Sequence, residues 1–571
     1  MPAWRIVRTL LLLTPSFVLL GAGAWFVLKQ FSGVPDLQSS DRGRLVVVVV
    51  FDQMRGDYLK RWSAMFDSNG FERIKKDGVW YSDAHLPYAC SSTGPGHASI
   101  STGVPPSIHG IIENEWYDRA RSKKVYCASG DRPYDRVPPN LNAGSRTKDG
   151  GGLSPDRLLV STVGDALTEL KQGRVFSLAL KDRAAVLMGG KSPTGCYCFD
   201  TATGQFHTSS YYREKAHPWV EAFNSSNGSD KWFQKDWTRL GDETLYNKLA
   251  GPDDVVGESG GPGGPGRVFP HKFTPEPTPG GRYYASLEAT PFGNELLWDF
   301  AKTAIEAEKL GQGDTPDLLF LGFSANDVIG HANGPDSHEV LDATLRSDRL
   351  IGEMIQYLEA KVGAGRFTII ITADHGVCPL PEVAVKTHPD AERFSPGEAY
   401  GPLGAVLDQK FGQADVAAGK WVEVLDFPWV YLNQRLIRSQ GIVPQTVDEA
   451  ATQWCANHPS IALTAFSRTE LAGPPLTDPL GRSVQLAFHP DRCGDVFVVN
   501  KPYTLQTGRF STGTSHGTPH AYDTHVPVLA FGLNMPTSGE QEGPASSLIV
   551  APLICKALGI EPPAGLSEKL P

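Results

Sequence analysis

Five short, almost uninterrupted apolar runs punctuate the chain: Leu45–Phe51, Val175–Leu180, Leu318–Phe323, Phe367–Ile371 and Val526–Phe531. A half-exposed strand alternates apolar and polar positions, whereas a strand covered on both faces is apolar throughout. These runs therefore read as buried strands of a parallel sheet. Between them the period changes. Leu341/Leu345 and Leu350/Met354/Leu358 recur at four-residue spacing, which places them on one face of a helix. Ser154-Pro155 has the pattern of an N-cap followed by proline at the first helical position, predicting a helix over Leu158–Leu167. Strands alternating with helices predict an α/β fold, a mainly parallel sheet sandwiched by helices. No internal repeat is present.

Two stretches break this rhythm. Residues from about 205 to 290 include the glycine- and proline-rich run Gly257–Gly266 and read as a flexible or loop-forming insert. Residues from about 380 to 500 are mixed in character and lie between two core strands, the usual position of a cap over a site. The Asn224 and Asn227 sequons read as chance combinations of common loop residues.

The first 40 residues are of another kind. Arg5 and Arg8 precede an uncharged run from Thr9 to Leu28, closed by Lys29. As a helix this run spans about 30 Å, enough for a membrane anchor with its basic end inside. Gly21-Ala22-Gly23-Ala24 equally suits a cleavable signal peptide, and a buried helix is the third alternative. The first two predict export to the periplasm or the outer face of the inner membrane. Eight cysteines in an exported chain suggest disulfides, though eight allow 105 pairings. Among 571 residues, 53 basic and 63 acidic side chains give a net charge of −10, without the basic excess of a general nucleic-acid binder. No specific nucleic-acid partner is expected, but a small site can still be locally positive.

Chemistry collects where the strands end. Asp52 follows the first run, Asp327 and His331 follow the third, and Asp374-His375 follows the fourth. His516 lies in Ser515-His516-Gly517-Thr518-Pro519-His520, ahead of the last run. Open α/β sheets bind ligands outside the carboxyl ends of their strands, so these groups could meet in one crevice. Three Asp and three His, all N/O donors, suit zinc and divide into two sets of three. Two ions about 3.5–4 Å apart would clamp the attacking and leaving oxygens of a phosphoryl displacement. Any one of these residues alone is an ordinary turn or cap. In Cys90-Ser91-Ser92-Thr93-Gly94-Pro95-Gly96-His97 a hydroxyl beside a helix start suits an oxygen nucleophile, with a plain helix cap as the alternative. Lys181 and Arg183 follow the second run, and Asn114 sits in Glu113-Asn114-Glu115-Trp116-Tyr117. Taken singly these are a solvated charge run and a turn asparagine. At the same sheet edge they would bind phosphoryl oxygens.

The motifs F-D-Q-M-R-G-D-Y, T-G-P-G-H-A-S, N-E-W-Y-D, K-D-R-A-A, D-V-I-G-H, T-A-D-H-G and Y-D-T-H-V-P, in that order, resemble the alkaline phosphatase superfamily. The resemblance is to its type I phosphodiesterase/nucleotide pyrophosphatase-like branch, and there to the PafA-like bacterial enzymes with a threonine nucleophile and two zinc ions. It covers about Leu45 to Gly532 and implies an alkaline-phosphatase-like catalytic domain over residues 41–565, with the two inserts as caps. It implies Thr93 as nucleophile, selected over the rival hydroxyls Ser91 and Ser92. Asp52, Asp374 and His375 would hold the ion that activates Thr93; Asp327, His331 and His516 would hold the second. Mg2+ or another divalent ion is an alternative to zinc. Asn114, Lys181 and Arg183 would contact phosphoryl oxygens, and His97 and His520 would be structural.

Similar two-zinc threonine sites also cleave diesters, but a monoester has one more charged oxygen for Lys181 and Arg183. The expectation is an exported phosphomonoesterase acting on small phosphate monoesters through a phosphothreonine. A phosphodiesterase on the same scaffold and a non-catalytic tethered metal- or phosphate-binding protein are the alternatives. A sulfatase is excluded because C-x-P-x-R is absent at Cys90.

Overall fold

The structure, a computed structural model, describes residues 45–139, 152–170, 173–262, 266–273, 276–414, 419–458, 461–506, 511–536, 539–563 and 565–566. Ten strands form its central sheet: β1 Leu45–Phe51, β2 Val79–His85, β3 Arg136–Val137, β4 Val175–Ala179, β5 Gly195–Asp200, β6 Gln205–Ser209, β7 Asp317–Phe323, β8 Phe367–Thr372, β9 Val528–Gly532 and β10 Gly539–Ser546. Their order across the sheet is β10-β2-β9-β8-β1-β7-β4-β5-β6-β3. The five in the middle, β8-β1-β7-β4-β5, are parallel. Both faces of β1 are buried, which explains its lack of alternation. Leu45, Val47, Val49 and Phe51 enter one core, while Val46, Val48 and Val50 enter the other. The helix predicted from the leucine spacing is present as His338–Leu358.

Four expectations need correction. β9 is antiparallel to both β8 and β2, with Val528 opposite Thr372 and Tyr81. Its chain enters from the carboxyl edge of β8, where Gly376 N–H donates to Asp523 O at 2.7 Å, so it must run back down the sheet. An apolar run encodes burial and not direction.

The helix expected over Leu158–Leu167 is instead Val163–Glu169. Thr162 and Asp165 form a reciprocal capping box, while Leu158 N–H to Pro155 O makes only a turn.

All eight cysteines are free and buried. Cys196 and Cys198 lie two apart on β5 and pack into one core, and burial pushes the Cys196 thiol up to about 12. They behave as small apolar residues.

The insert at 205–290 is largely ordered structure. It supplies β6 and the helices Pro218–Ser225, Glu243–Ala250 and Gly281–Glu288, and its Trp219, Trp232, Trp237 and Tyr283 join the core beneath β1. Those aromatics bury enough surface to order the segment despite its glycines. Asn224 is bonded in both directions to the Phe206 backbone.

The stretch at 380–500 holds an antiparallel sheet in the order Val422–Asp426, Trp429–Leu432, Val496–Asn500, Ala462–Ser467. Val430 and Leu432 face this segment's own core, and Trp429 and Tyr431 face the core of the main sheet. This is the two-residue period of a strand covered on both sides. The anchor or signal expected over residues 1–40 lies outside the described residues. Among the described residues, no helix is long and apolar enough to cross a membrane.

Candidate active site

The carboxyl ends of β1, β4, β7 and β8 open on one side of the sheet, and each carries candidate residues into that crevice. Asp52 follows β1, Lys181 and Arg183 follow β4, Asp327 follows β7, and Asp374-His375 follows β8. Asp327 and His331 are one turn apart on the helix Ala325–Asn333. His516 arrives from the segment before β9.

Two triads result, each with ligand atoms mutually within 4.8 Å: Asp52/Asp374/His375 and Asp327/His331/His516. All three imidazoles are oriented alike. Nδ1 of His331, His375 and His516 lies 2.7, 2.9 and 2.8 Å from the carbonyl oxygens of Thr514, Gly376 and Ser91. A carbonyl only accepts, so Nδ1 carries the proton and Nε2 keeps a lone pair. Nε2 of His375 is 3.5 Å from Asp52 Oδ1 and 3.3 Å from Asp374 Oδ2. Nε2 of His331 is 3.2 Å, and that of His516 3.7 Å, from Asp327 Oδ1.

The donor set fits divalent cations. Asp52 Oδ1 is buried without a hydrogen-bond partner, an arrangement that costs several kcal/mol unless a cation is met. Lys181 Nζ lies between the triads, 2.7 Å from Asp52 Oδ2 and in contact with Asp327 Oδ2. Burial and the carboxylates of Asp327 and Asp374 push the Asp52 pKa well up. Burial works the same way on Asp327, but His331 and Lys181 beside it hold its carboxyl well below the usual range. Burial, with His375 and His331 close by, keeps His516 neutral to well below ordinary histidine values.

Thr93 opens the helix Thr93–Thr102, every residue of which is buried. Its Oγ1 is 3.4 Å from His375 Nε2 and 3.4 Å from Arg183 Nη2. The rival hydroxyls are committed elsewhere: Ser91 Oγ donates to Thr518 O and Ser92 Oγ to Glu113 Oε2, both at 2.7 Å. Because Ser92 turns away, the first turn is capped from outside by Asn114, whose Oδ1 accepts from Gly94 N–H at 2.7 Å. That leaves the Asn114 amide NH2 as a donor. Arg183 Nε is a buried donor without a partner. Gly96 lets the helix press on the Asp374 loop, since a Cβ there would stand 2.4 Å from Asp374 O.

Three residues escaped the sequence reading as members of the site. Gln53, at φ 69°, donates from Nε2 to Asp327 Oδ1 at 2.7 Å and from its backbone N–H to Asp374 Oδ1 at 3.1 Å, bracing both triads. Its one sequence signal is adjacency to Asp52. His97, read as structural, bonds Thr93 O at 2.9 Å through Nδ1 and stands 3.1 Å from Asp374 Oδ2. Glu113, beside Asn114, has its pKa pushed by burial to about 7. His520 bonds Asn500 O, away from the triads. Two cavities adjoin Asn114. One of about 320 Å3 is lined by His331, His516, Phe427 and Phe497, and one of about 310 Å3 by Arg183, Tyr126, Glu113 and Trp429.

The chain is similar to known proteins over most of its length. Residues 46–523 match the family "Type I phosphodiesterase / nucleotide pyrophosphatase". Alkaline phosphatase PafA of Elizabethkingia meningoseptica is 31% identical over 98% of this chain and 98% of its own. Alkaline phosphatase PhoV of Synechococcus elongatus is 30% identical over 93% of each. The crystal structure of wild-type PafA superposes with a TM-score of 0.82, covering 92% of this chain and 98% of that one. The chain thus belongs to the type I phosphodiesterase/nucleotide pyrophosphatase family of the alkaline phosphatase superfamily, and its function is that of a phosphoesterase.

Proposed function

We propose that this protein is an exported, metal-dependent phosphomonoesterase that works through a phosphothreonine at Thr93. The observation that carries the reading is Arg183 beside the Thr93 hydroxyl, with Asn114 at the start of the same helix and Lys181 between two triads of N/O ligands. Two divalent cations held there, zinc by the chemistry of the donors, would lower the threonine pKa and neutralise charge on the transferring group.

The remaining work belongs to the chain. Thr93 Oγ1 gives up its proton and attacks phosphorus in line, forming the Oγ1–P bond as the P–O bond to the ester oxygen breaks and the alcohol leaves with a proton. Water then attacks phosphorus from the opposite side, the P–Oγ1 bond breaks, inorganic phosphate leaves, and a proton from the water returns to Thr93 Oγ1. Ser91 and Ser92 are turned to Thr518 O and Glu113 Oε2, whereas Thr93 Oγ1 stands beside His375 and Arg183. Asn114 holds the helix start with its carbonyl oxygen and offers its NH2 to a phosphoryl oxygen. The unpaired Nε of Arg183 offers a second donor, and Lys181 a charge. A monoester dianion has one more oxygen for these groups than a diester, which supports monoesters as the substrate class. PafA and PhoV carry the name alkaline phosphatase, in agreement. Export rests on Arg5, Arg8 and the apolar run Thr9 to Leu28.

The test is hydrolysis of p-nitrophenyl phosphate and bis-p-nitrophenyl phosphate in parallel, with metal removal and add-back. Monoester turnover should dominate and should vanish and return with the metal. Diester turnover above monoester turnover would make the protein a phosphodiesterase. Full activity after stringent metal removal would overturn the two-ion reading.

A further inference from the structure

Outside the crevice, Asp83, His85 and His525 form a third group of ligand-type side chains, with one donor atom from each mutually within 4.8 Å. Asp83 and His85 are i, i+2 on β2 and so share a face. His525 lies just before β9, opposite His85 in a single antiparallel bridge. The two rings stack with centroids 4.8 Å apart and planes 18° from parallel. Like-charged imidazolium rings would repel at that separation.

Each ring is anchored by the protein through one nitrogen, and the second nitrogen of His85 faces the carboxylate that would share an ion with it. His85 Nδ1 is 3.0 Å from Thr524 Oγ1, and His525 Nε2 is 3.0 Å from Ser82 O. His85 Nε2 faces Asp83 Oδ1 at 3.2 Å. Ligands about 2.0–2.1 Å from a tetrahedral zinc stand about 3.3 Å apart, so this edge already has the right length. Among the described residues, His85 is the one ion-pair partner of Asp83.

We propose that Asp83, His85 and His525 bind a third divalent ion of the zinc type, separate from the two triads. The ligands are half-buried, so a water completes the coordination and the ion exchanges more readily than those in the crevice. Its role is structural. His525 O accepts from Gly56 N–H at 2.9 Å, and the His525 ring packs so closely on Gly56 that a Cβ there would lie 2.6 Å from Nε2. Two residues earlier, Asp523 O holds Gly376 N–H. An ion at His525 would pin to β2 the segment that supports the loops carrying Asp52 and His375.

The experiment counts metal in the full chain after zinc loading and desalting, by mass spectrometry, for wild type, His85→Gln and Asp83→Asn. Each variant should hold one equivalent fewer than wild type while keeping p-nitrophenyl phosphate turnover, which reports the crevice ions independently. Its melting temperature should equal that of wild type in chelator and fall below it in zinc. Equal metal content in all three proteins would overturn the proposal. So would a lost equivalent accompanied by lost turnover, since the missing ion would then be one from the crevice. If His85→Gln misfolds, the more exposed Asp83→Asn decides by itself.

Discussion

Arg183→Ala tests how the crevice distinguishes esters. The guanidinium is buried, its Nη2 is 3.4 Å from Thr93 Oγ1, and its Nε has no partner. Burial disfavours its charge, but the carboxyl groups of Asp52 and Asp182 beside it favour the protonated guanidinium. A charge-assisted hydrogen bond contributes about 1.5–3 kcal/mol. On the proposed function a monoester dianion would accept from both Nε and Nη2, whereas a diester, with one oxygen esterified, would keep one of the two contacts. The variant should therefore lose one such bond more on monoesters, a factor of about 10- to 150-fold in kcat/KM. The assay is kcat/KM for p-nitrophenyl phosphate and bis-p-nitrophenyl phosphate in wild type and variant. Equal losses on the two substrates would refute the argument that Arg183 reads the extra oxygen.

Further outcomes follow from the same geometry. Thr93→Ala should abolish burst-phase labelling by a phosphomonoester and reduce turnover to background, with undiminished turnover counting against Thr93 as nucleophile. Gly96→Ala places a Cβ 2.4 Å from Asp374 O. It should lower stability by about 1–3 kcal/mol and kcat with it, as read by thermal melting and initial rates, because a helix start and a ligand loop cannot both stay in place. For Glu113, the folded-state pKa of about 7 lies above the ordinary carboxyl value of 4.5. The native chain therefore holds a proton that the unfolded chain releases, and stability falls as pH rises from about 4.5 to 7. Glu113→Gln should remove that part of the fall, so its melting temperature should gain on wild type between pH 5 and pH 8. No relative gain would mean that the carboxyl is not buried in this way.

Much of the site was legible because its chemistry is local to strand ends. Asp52, Asp327 and Asp374-His375 stand within a few residues of apolar runs, and parallel strands deliver all their carboxyl ends to one edge. The T-G-P-G-H motif pointed to Thr93, but what turns Ser91 and Ser92 aside was not local. It depends on Thr518 O and Glu113, which lie far away or in another loop and take up the two serines. The cysteines were misread for a related reason: an even count is compatible with disulfides, but each thiol is buried without forming one.

By itself, the sequence determined what is periodic or adjacent: the buried strands, the long helix His338–Leu358, the i, i+4 pair Asp327/His331 and the residue types of both triads. Only the tertiary structure decided the direction of β9, the order within the insert at 205–290, the bracing by Gln53 and the grouping of Asp83 and His85 with His525. The physical reason is the same for each. Burial leaves a mark on the residue that is buried, whereas a strand's direction, a hydroxyl's acceptor or a ligand's partner is set by chain segments hundreds of residues away. Nothing in the local pattern registers those partners until the sheet brings them together.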